Sequence, residues 1–361
     1  MKKRILLIST MYPSNKHPSF GIFIKNQVKE LENNGYKIDL LVIKDPRMGK
    51  INVLKKYSAW FLKWLYYFLF KGKRYDLVHA HYVFPSGFLA MIIKRFYNIP
   101  FIVTAHGGDI DKMAQKNEQI NTYTKRILRA ANYVIAVGEL LKDKIITEYQ
   151  VPETKIKVMN MGVNRDIFFP QPKEHCREKL GLSKEKKILL FVGNIIEQKG
   201  VNELLLAYEE MSREDTELHL VGAIKQPAFL RRIEPVIQRN NIQIHPPATQ
   251  KEVACWMNAA DILVIPSYIE GFGLVALEAM ACQTPVIGTR VGGLQFLLGK
   301  DAGVLVEPKN APQLKLKIEE VLNNQELQQR TVLNGEKKVD ENDQNKLIQH
   351  LISIYQLTNS T

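Results

Sequence analysis

Short apolar runs alternate with amphipathic stretches along almost the whole chain. The runs are rich in Val, Ile and Leu without polar alternation, which is typical of parallel strands buried on both faces. Helical patterns separate most of the runs, and this alternation predicts βαβ units. Twelve strands are predicted, six in each half, at 4–9, 38–43, 77–79, 101–104, 133–137, 156–159, 188–193, 217–221, 242–245, 262–265, 285–288 and 303–306.

The two equal sets of strands predict two doubly wound α/β domains with a cleft between them. Residues 168–176, FFPQPKEHC, carry two prolines and are predicted as the linker. The predicted domains are therefore residues 1–169 and 170–340. In such sheets ligands bind beyond the carboxyl ends of the strands, so the loops after strands are the places to look for chemistry.

Composition favours an ordinary globular protein of two domains. The chain has 361 residues, of which 45% are hydrophobic and 24% charged. The three cysteines, Cys176, Cys255 and Cys282, are far apart in sequence, which argues against a disulfide framework or a zinc site and is typical of a reducing cytosol. The apolar run in MKKRILLIST is too short for a signal peptide, and no run is long enough to span a membrane.

Positive charge is concentrated in residues 46–75, which hold eight basic residues and no acidic one, within a chain of net charge +13. The same segment contains the aromatic run AWFLKWLYYFLF. It predicts either a buried helix with a solvated basic edge or, as we favour, an element that docks on an anionic membrane surface. No nucleic-acid partner is expected, because polar base-reading residues are missing. The predicted docking residues are Lys55, Lys56, Trp60, Lys63, Trp64, Lys71, Lys73 and Arg74.

Three loops of the first half carry candidate chemistry. Gly21 precedes a helix, where it is either a plain turn glycine or lets a phosphate approach the backbone N–H groups. HAHYVFPSG (79–87) and TAHGGDI (104–110) place three histidines at strand ends. A lone histidine is usually structural, but His106 is followed by two glycines that allow close approach of a ligand.

Two loops of the second half carry the remaining candidates. Lys199 lies at a helix start, where it is either a solvated lysine or a point charge for a phosphate. IEGFGLVALEAM (269–280) contains Glu270 in a loop and Glu278 in the following helix. The backbone N–H groups at 272–275 predict an anion site such as one for a diphosphate, and a carboxylate accepts two hydrogen bonds from a vicinal diol.

Together these motifs resemble the retaining glycosyltransferases of family 4. The resemblance covers nearly the whole chain and rests on YP with Gly21, DLVHAH (76–81), TAHGGD (104–109), MGVNRDIF (161–168), VGNIIEQKG (192–200) and the E-x7-E motif within 266–293. It implies the GT-B fold, in which two Rossmann-like domains face a central cleft and a C-terminal helix, here 341–361, returns to the N-terminal domain. The sequence is similar to bacterial enzymes that build cell-surface polysaccharides, including the teichuronic-acid type.

The resemblance also implies roles for individual residues. His106 and Glu270 would act at the transferred sugar, Glu278 would bind the ribose, and His245 with Pro246 would bind the base. The donor diphosphate would contact Gly21, Asn194, Lys199, Gly271, Phe272, Gly273 and Leu274. No metal or other cofactor is implied. The chain departs from the family pattern at Asn164, Asn194, Pro246, Gln283 and Phe296, and Asn194 replaces a frequent arginine.

The expected function is retaining, metal-independent transfer of a hexose from a nucleotide diphosphate sugar, with UDP as the expected nucleotide. The expected acceptor is a glycan or a polyprenyl-linked sugar, and a soluble acceptor is the alternative. The expected location is cytoplasmic, on the inner face of the cell membrane. Two other classes stay open on this fold: a nucleotide-sugar epimerase and a non-catalytic nucleotide-sugar-binding protein.

Overall fold

The structure, a computed structural model, describes residues 3–18, 20–47, 49–211 and 214–358. It divides into two compact units, each built on one parallel sheet. The first unit is Met1–Met161 with Asn345–Thr361, and the second is Gly162–Gln344. The ends of the predicted domains, residues 1–2 and 359–361, lie outside the described residues.

The first unit contains a six-stranded parallel sheet in the order β2-β1-β3-β4-β5-β6. Its strands are β1 (Arg4–Ser9), β2 (Lys37–Val42), β3 (Leu77–His81), β4 (Phe101–Ala105), β5 (Tyr133–Ala136) and β6 (Ile156–Val158). Its helices are α1 (Ile22–Asn33), α2 (Lys50–Lys71), α3 (Phe88–Tyr97), α4 (Glu118–Ala130) and α5 (Glu139–Tyr149).

The second unit contains another six-stranded parallel sheet, in the order β12-β11-β10-β7-β8-β9. Its strands are β7 (Lys187–Val192), β8 (Thr216–Val221), β9 (Gln243–His245), β10 (Ile262–Ile265), β11 (Val286–Thr289) and β12 (Val304–Val306). The helices that follow along the chain are α6 (Lys173–Leu180), α7 (Val201–Glu209), α8 (Pro227–Arg239), α9 (Gln250–Ala259), α10 (Leu274–Ala281), α11 (Leu294–Leu297), α12 (Ala311–Asn323), α13 (Gln325–Glu341) and α14 (Gln344–Thr358).

All twelve predicted strands are present, and the predicted α/β class with two doubly wound sheets is confirmed. The central strands are buried on both faces, as in β1, where Leu6 and Ile8 pack in one core cluster while Ile5 and Leu7 pack in others. This two-sided burial explains why the apolar runs do not alternate with polar residues. β3 continues two residues beyond the predicted end and includes His81.

By contacts within the chain, the first unit ends at Met161 and the second begins at Gly162, before the predicted linker at 168–176. Val163 and Phe168 are buried in the core of the second unit, and the N–H of Val163 donates to the carbonyl of Asn342. The chain returns to the first unit at Asn345, where α14 packs Ile348, Leu351, Ile354 and Tyr355 onto the sheet. The buried contacts of Val163 and Phe168 therefore assign residues 162–169 to the second unit.

Helix α2 is buried on one face only, and this corrects part of the docking prediction. Trp60 and Trp64 are 6% and 5% exposed, and Trp60 Nε1 donates to the carbonyl of Leu41 at 3.0 Å. These two residues therefore anchor the helix to the first unit and are not free to enter a membrane. The opposite face exposes large apolar side chains, namely Ile51, Leu54, Phe61, Leu62, Leu65, Tyr66, Leu69 and Phe70.

The basic residues predicted to dock divide into two groups. Lys55, Lys73 and Arg74 are exposed. The other three are engaged within the unit: Lys56 donates to the carbonyls of residues 45 and 47, Lys63 donates to that of residue 40, and Lys71 lies over the rings of residues 66 and 67. Within the part of the chain that the structure describes, no helix is long and apolar enough to cross a membrane.

A buried ion pair fixes the start of the second sheet. Arg177 of α6 donates from Nη2 to Asp261 Oδ2 at 2.7 Å and from Nε to the carbonyl of Ala259 at 3.0 Å. The same Asp261 oxygen accepts the N–H of Ile188 in β7. One arginine therefore joins a helix to two adjacent strands.

We expect Arg177→Met to lower the free energy of unfolding by about 1–3 kcal/mol, because Asp261 keeps Lys173 and the N–H of Ile188 but loses its buried arginine, and the carbonyl of Ala259 loses its donor. Urea unfolding of the whole chain measures this. Arg231→Met, on the exposed face of α8, is the matched control and is expected to stay within about 0.5 kcal/mol of wild type. Equal stability of the two variants would contradict the structural role of Arg177.

Candidate active site

The second sheet reverses its winding direction between β7 and β10. From β7 the chain adds β8 and β9 on one side, and then β10, β11 and β12 on the other. Loops that leave the carboxyl ends of the two central strands diverge at such a point and leave room for a ligand. The loops in question are residues 193–200 after β7 and residues 266–273 after β10.

Lys199 and Glu270, predicted from separate motifs, meet at this switch point. Lys199 Nζ lies 2.6 Å from Glu270 Oε2, and the two side chains keep 28% and 19% of their surface exposed. The hydroxyl of Ser267 lies 3.4 Å from the same carboxylate oxygen. A cation and a carboxylate are thus held side by side in a partly open position where both can reach a ligand.

The loop that carries Lys199 is held against the other loop by its backbone. Gly200 has φ +65°, and a Cβ there would overlap the carbonyl of Pro266. The N–H of Tyr268 donates to the carbonyl of Gln198 at 2.9 Å, and the Tyr268 hydroxyl donates to Glu203 at 2.5 Å. Only glycine permits this approach. Gly200 is therefore required by the geometry of the loop, and Lys199 supplies its charge.

Glycines precede the N-terminus of helix α10 at this site. Gly273 precedes it with φ +95°, and a Cβ there would lie 2.7 Å from Leu294. Since the first N–H groups of a helix have no intrahelical partner, those of Leu274 and Val275 are available to an anion. Phe272 is half-buried beside them, and Gly271 is exposed.

Gly292 and Gly293 were not predicted as site residues. A Cβ on Gly292 would overlap the carbonyl of Glu270, and the N–H of Gly293 donates to the carbonyl of Gly271 at 2.8 Å. These contacts hold the loop that presents Glu270. The glycine pair in TRVGG is the signal that could have identified this support.

Glu278 lies one turn into α10 and has an unusual environment. None of the described residues donates a hydrogen bond to its carboxyl group, and burial raises its pKa to about 8. A carboxylate in such a place is costly without a partner. It can accept hydrogen bonds from ligand hydroxyls.

The remaining predicted residues of this unit lie around the same edge of the sheet. Asn194 is exposed in the loop after β7. His245 ends β9, packs on the ring of Trp256 with centroids 4.4 Å apart, and lies 3.0 Å from His219. Burial lowers the pKa of both histidines, so they are neutral at pH 7. Pro246 follows and is exposed.

The first sheet reverses its winding direction between β1 and β3. Gly21, with φ +72°, lies against the backbone of Met11, and the Tyr82 hydroxyl donates to the sulfur of Met11 at 2.9 Å. The loops after β1 and β3 therefore touch. Phe23, in the helix after Gly21, packs on His106 with ring centroids 5.2 Å apart, so the structure places Gly21 and His106 in one neighbourhood.

His106 belongs to a column of three imidazole rings. His79 stacks on His81 with centroids 4.4 Å apart, and His81 stacks on His106 at 5.4 Å. His81 Nδ1 lies 3.1 Å from His106 Nε2, while His79 contacts Tyr355 of α14 and Thr104. Burial lowers the pKa of His79 and His106 to about 3 and that of His81 well below its usual range. All three rings are thus neutral at pH 7.

Asp109 is a site residue that the sequence reasoning missed. Its two oxygens accept the N–H of Val83 at 2.8 Å and the N–H of His106 at 3.0 Å, which joins the loops after β3 and β4. Burial raises its pKa to about 6 despite these bonds. An acidic residue directly after the two glycines was the available signal. Among the described residues, no group of three or more His, Cys, Asp or Glu side chains is arranged to hold a metal ion.

Comparison with known families identifies both halves of the chain. The family model described as Glycosyltransferase Family 4 matches residues 21–167, and the one described as Glycosyl transferases group 1 matches residues 172–338. Together the matches cover both units. The chain belongs to the family 4, group 1 glycosyltransferases, with the GT-B fold.

Individual relatives extend over most of the chain. An uncharacterized glycosyltransferase of Methanocaldococcus jannaschii is 30% identical and covers 92% of this chain and 93% of its own. A protein of Bacillus subtilis (strain 168), named as a glycosyltransferase of teichuronic acid biosynthesis, is 28% identical over 86% of this chain and 87% of its own. The solved sucrose-phosphate synthase of Thermosynechococcus elongatus aligns over 100% of both chains, with a TM-score of 0.81 and 25% identity.

The burial of Glu278 has a consequence for stability that can be measured. Its pKa is raised from 4.5 to about 8, so between these values the folded state holds a proton that the unfolded state has lost, and stability falls as pH rises. We expect Glu278→Gln to match wild type near pH 4 and to be more stable by roughly 2–4 kcal/mol at pH 8. Thermal unfolding across this pH range measures the difference.

Glu234→Gln, on the exposed face of α8, is the control for losing one carboxylate. Its stability relative to wild type is expected to change little with pH. A Glu278→Gln variant whose advantage does not grow between pH 4 and pH 8 would show that the carboxylate is solvated or paired.

Proposed function

We propose that this glycosyltransferase moves a hexose from a nucleotide diphosphate sugar, with UDP as the nucleotide, to a hydroxyl acceptor with retention at the anomeric carbon. The observation that carries the proposal is the Lys199–Glu270 pair beside the N-terminus of α10 at the switch point of the second sheet. A cation and free helix N–H groups suit a diphosphate, and the adjacent carboxylate suits sugar hydroxyls.

The remaining residues of the second unit have roles that follow from their chemistry. Glu278, partly buried and without a hydrogen-bond partner among the described residues, would accept two hydrogen bonds from the ribose diol of the donor, and these bonds would favour its ionised form. His245 and Pro246, beside Trp256 at the end of β9, would contact the base. Asn194, Gly271, Phe272, Gly273 and Leu274 would line the path of the diphosphate.

In the proposed reaction the bond between the anomeric carbon and the diphosphate oxygen breaks. The acceptor oxygen forms its bond on the face from which the diphosphate leaves, and its proton passes to a diphosphate oxygen. Negative charge grows on the leaving group, so Lys199 and the helix N–H groups stabilise it where it develops. No metal ion is required in this scheme.

In the first unit, His106 would contact the transferred sugar, and Gly21 would let the diphosphate approach the backbone. Because the pKa of His106 is lowered to about 3, its ring is neutral and contributes a hydrogen bond, not a charge. The positive charge that stabilises the leaving group therefore comes from Lys199.

We also propose that the first unit docks on the inner face of the cell membrane and uses a polyprenyl-linked or glycan acceptor in cell-surface polysaccharide synthesis. The exposed apolar face of α2 supports docking, since Leu62 and Phe70 are 65% and 68% exposed in a segment without acidic residues. Lys55, Lys73 and Arg74 would meet anionic headgroups. The teichuronic acid role in the name of the Bacillus relative agrees with this acceptor class.

Replacement of Lys199 tests the catalytic proposal. We expect Lys199→Ala to lower kcat by about 100- to 1000-fold, because one stabilising group at the leaving diphosphate typically contributes about 2.7–4 kcal/mol. The assay measures nucleotide release from a panel of nucleotide sugars with and without a glycan or polyprenyl acceptor. The anomeric configuration of the product tests retention.

Lys184→Ala, an exposed lysine of the same unit, is the matched control and is expected to turn over normally. Near-normal turnover of a correctly folded Lys199→Ala protein would contradict the assignment. Conversion of the donor without any acceptor would indicate an epimerase, and binding without turnover would indicate a non-catalytic protein.

Co-sedimentation with vesicles of anionic lipid tests the docking surface. We expect the double change Leu62→Ser and Phe70→Ser to weaken binding by at least about tenfold, because each buried apolar side chain contributes roughly 1.5 kcal/mol or more. Added salt should weaken the binding of the unchanged protein as well, since it screens the lysines.

The matched control changes Leu316 and Leu333 to Ser, two equally exposed leucines of the second unit. It should bind vesicles like the unchanged protein. Loss of binding in both double variants, or absence of binding in the unchanged protein at low salt, would count against docking through α2.

A further inference from the structure

His81 is a fully buried residue whose hydrogen bonding is incomplete. It ends β3 with 0% exposure, and its Nδ1 lies 3.1 Å from Nε2 of His106. Its other ring nitrogen, Nε2, is buried and has no hydrogen-bond partner among the described residues. The proposed contacts to the sugar donor and to the acceptor do not involve this side chain.

The contact between the two rings admits two proton arrangements. A neutral imidazole carries its proton on one nitrogen and a lone pair on the other. Either His81 Nδ1–H donates to His106 Nε2, or His106 Nε2–H donates to His81 Nδ1. The first arrangement leaves a lone pair on the unpartnered His81 Nε2, and the second leaves an N–H there.

The burial of His81 Nε2 distinguishes the two proton arrangements. Buried N–H groups without a partner are rarer in proteins than under-used acceptors. The first arrangement is therefore favoured. Since His106 then accepts at Nε2, its own proton lies on Nδ1, and no described residue hydrogen-bonds to that nitrogen.

We propose that His81 is a positioning residue that holds His106 in the tautomer protonated at Nδ1, so that His106 presents an N–H donor to an oxygen of the bound substrate. The lowered pKa of both rings keeps them neutral and so keeps this arrangement across the physiological range. His106 is then a donor to a hydroxyl, ring or phosphate oxygen, and it is not available as a base at Nδ1.

The surroundings of His106 support a fixed orientation. Asp109 accepts the backbone N–H of His106 at 3.0 Å. The rings of Phe23 and Tyr82 pack on the His106 ring, with centroids 5.2 and 4.6 Å away. The ring plane is thus set by packing and the backbone by a buried carboxylate. What remains is the choice of tautomer, which depends on the single contact to His81.

Nitrogen NMR of the ligand-free protein labelled with ¹⁵N-histidine tests the tautomer directly, because protonated and unprotonated ring nitrogens have well-separated shifts. We expect His106 with a protonated Nδ1 and an unprotonated Nε2, and His81 with a protonated Nδ1. A proton on His106 Nε2 in the unchanged protein would overturn the proposal.

Two substitutions test whether His81 is the cause. His81→Phe keeps a ring but removes the donor, and we expect the shifts of His106 to become averages of both tautomers. His81→Asn retains an N–H donor and should restore the fixed tautomer. Unchanged shifts of His106 in His81→Phe would also overturn the proposal, and if that variant does not fold, the Asn variant and the unchanged protein still decide it.

Tyr355→Phe is the matched control, because it removes a hydroxyl from the partner of His79 and leaves the contact between His81 and His106 intact. The tautomer of His106 should not change in this variant. A change there would assign the effect to the packing of the whole column and not to His81.

The role of His106 toward substrate rests on the proposed function, whereas the tautomer does not. In the transferase assay we expect His81→Phe to lower kcat by about tenfold, the effect of losing one oriented hydrogen bond, and His81→Asn to recover most of it. Absence of transfer in the unchanged protein, with the tautomer as stated, would refute the proposed function alone. Normal transfer with the proton on Nε2 would refute this inference alone.

Discussion

Both candidate sites depend on close contact between loops that leave neighbouring parallel strands. In the second unit, Gly200 lies against the carbonyl of Pro266, and Gly292 lies against that of Glu270. In the first, the Tyr82 hydroxyl of the loop after β3 donates to the Met11 sulfur of the loop after β1, and Gly21 packs on the backbone of Met11 within that same loop. Side chains in place of Gly200 and Gly292 would separate the loops of the second unit, and Lys199 would then lose its place beside Glu270. Gly200 and Gly292 are therefore the steric condition under which Lys199 and Glu270 converge at the switch point of the second sheet.

A second common feature is the burial of polar groups that the protein itself satisfies only in part. Glu278 has a pKa near 8 and His81 has a free buried nitrogen, whereas Asp109 has backbone partners for both oxygens. The number of hydrogen-bond partners distinguishes a structural role from a functional one. Asp109 holds two loops together, while a group left without partners is ready for a ligand or sets the state of its neighbour.

The sequence predicted the strands well, and it was less accurate wherever one face of an element had to be chosen. All twelve strands were found because continuous Val, Ile and Leu runs report burial on two faces. Trp60 and Trp64 were assigned to a membrane surface, yet they pack inside the first unit. Aromatic content showed that α2 has two apolar faces, but it did not show which of them the sheet covers. Asp109, Gly292 and Gly293 were missed because they act through contacts to backbone groups, which side-chain motifs do not show.

What the sequence determined by itself is the alternation of strands and helices, the family, and the residue types at the strand ends, since these are properties of local pattern and motif. The tertiary structure alone decided that Lys199 and Glu270 form a pair and that Glu278 lacks a partner. It also decided that three histidines stack and that Asn345 begins the return to the first unit. These are distances and burials between residues distant in sequence, and they depend on how the strands are ordered in each sheet, which no local pattern encodes.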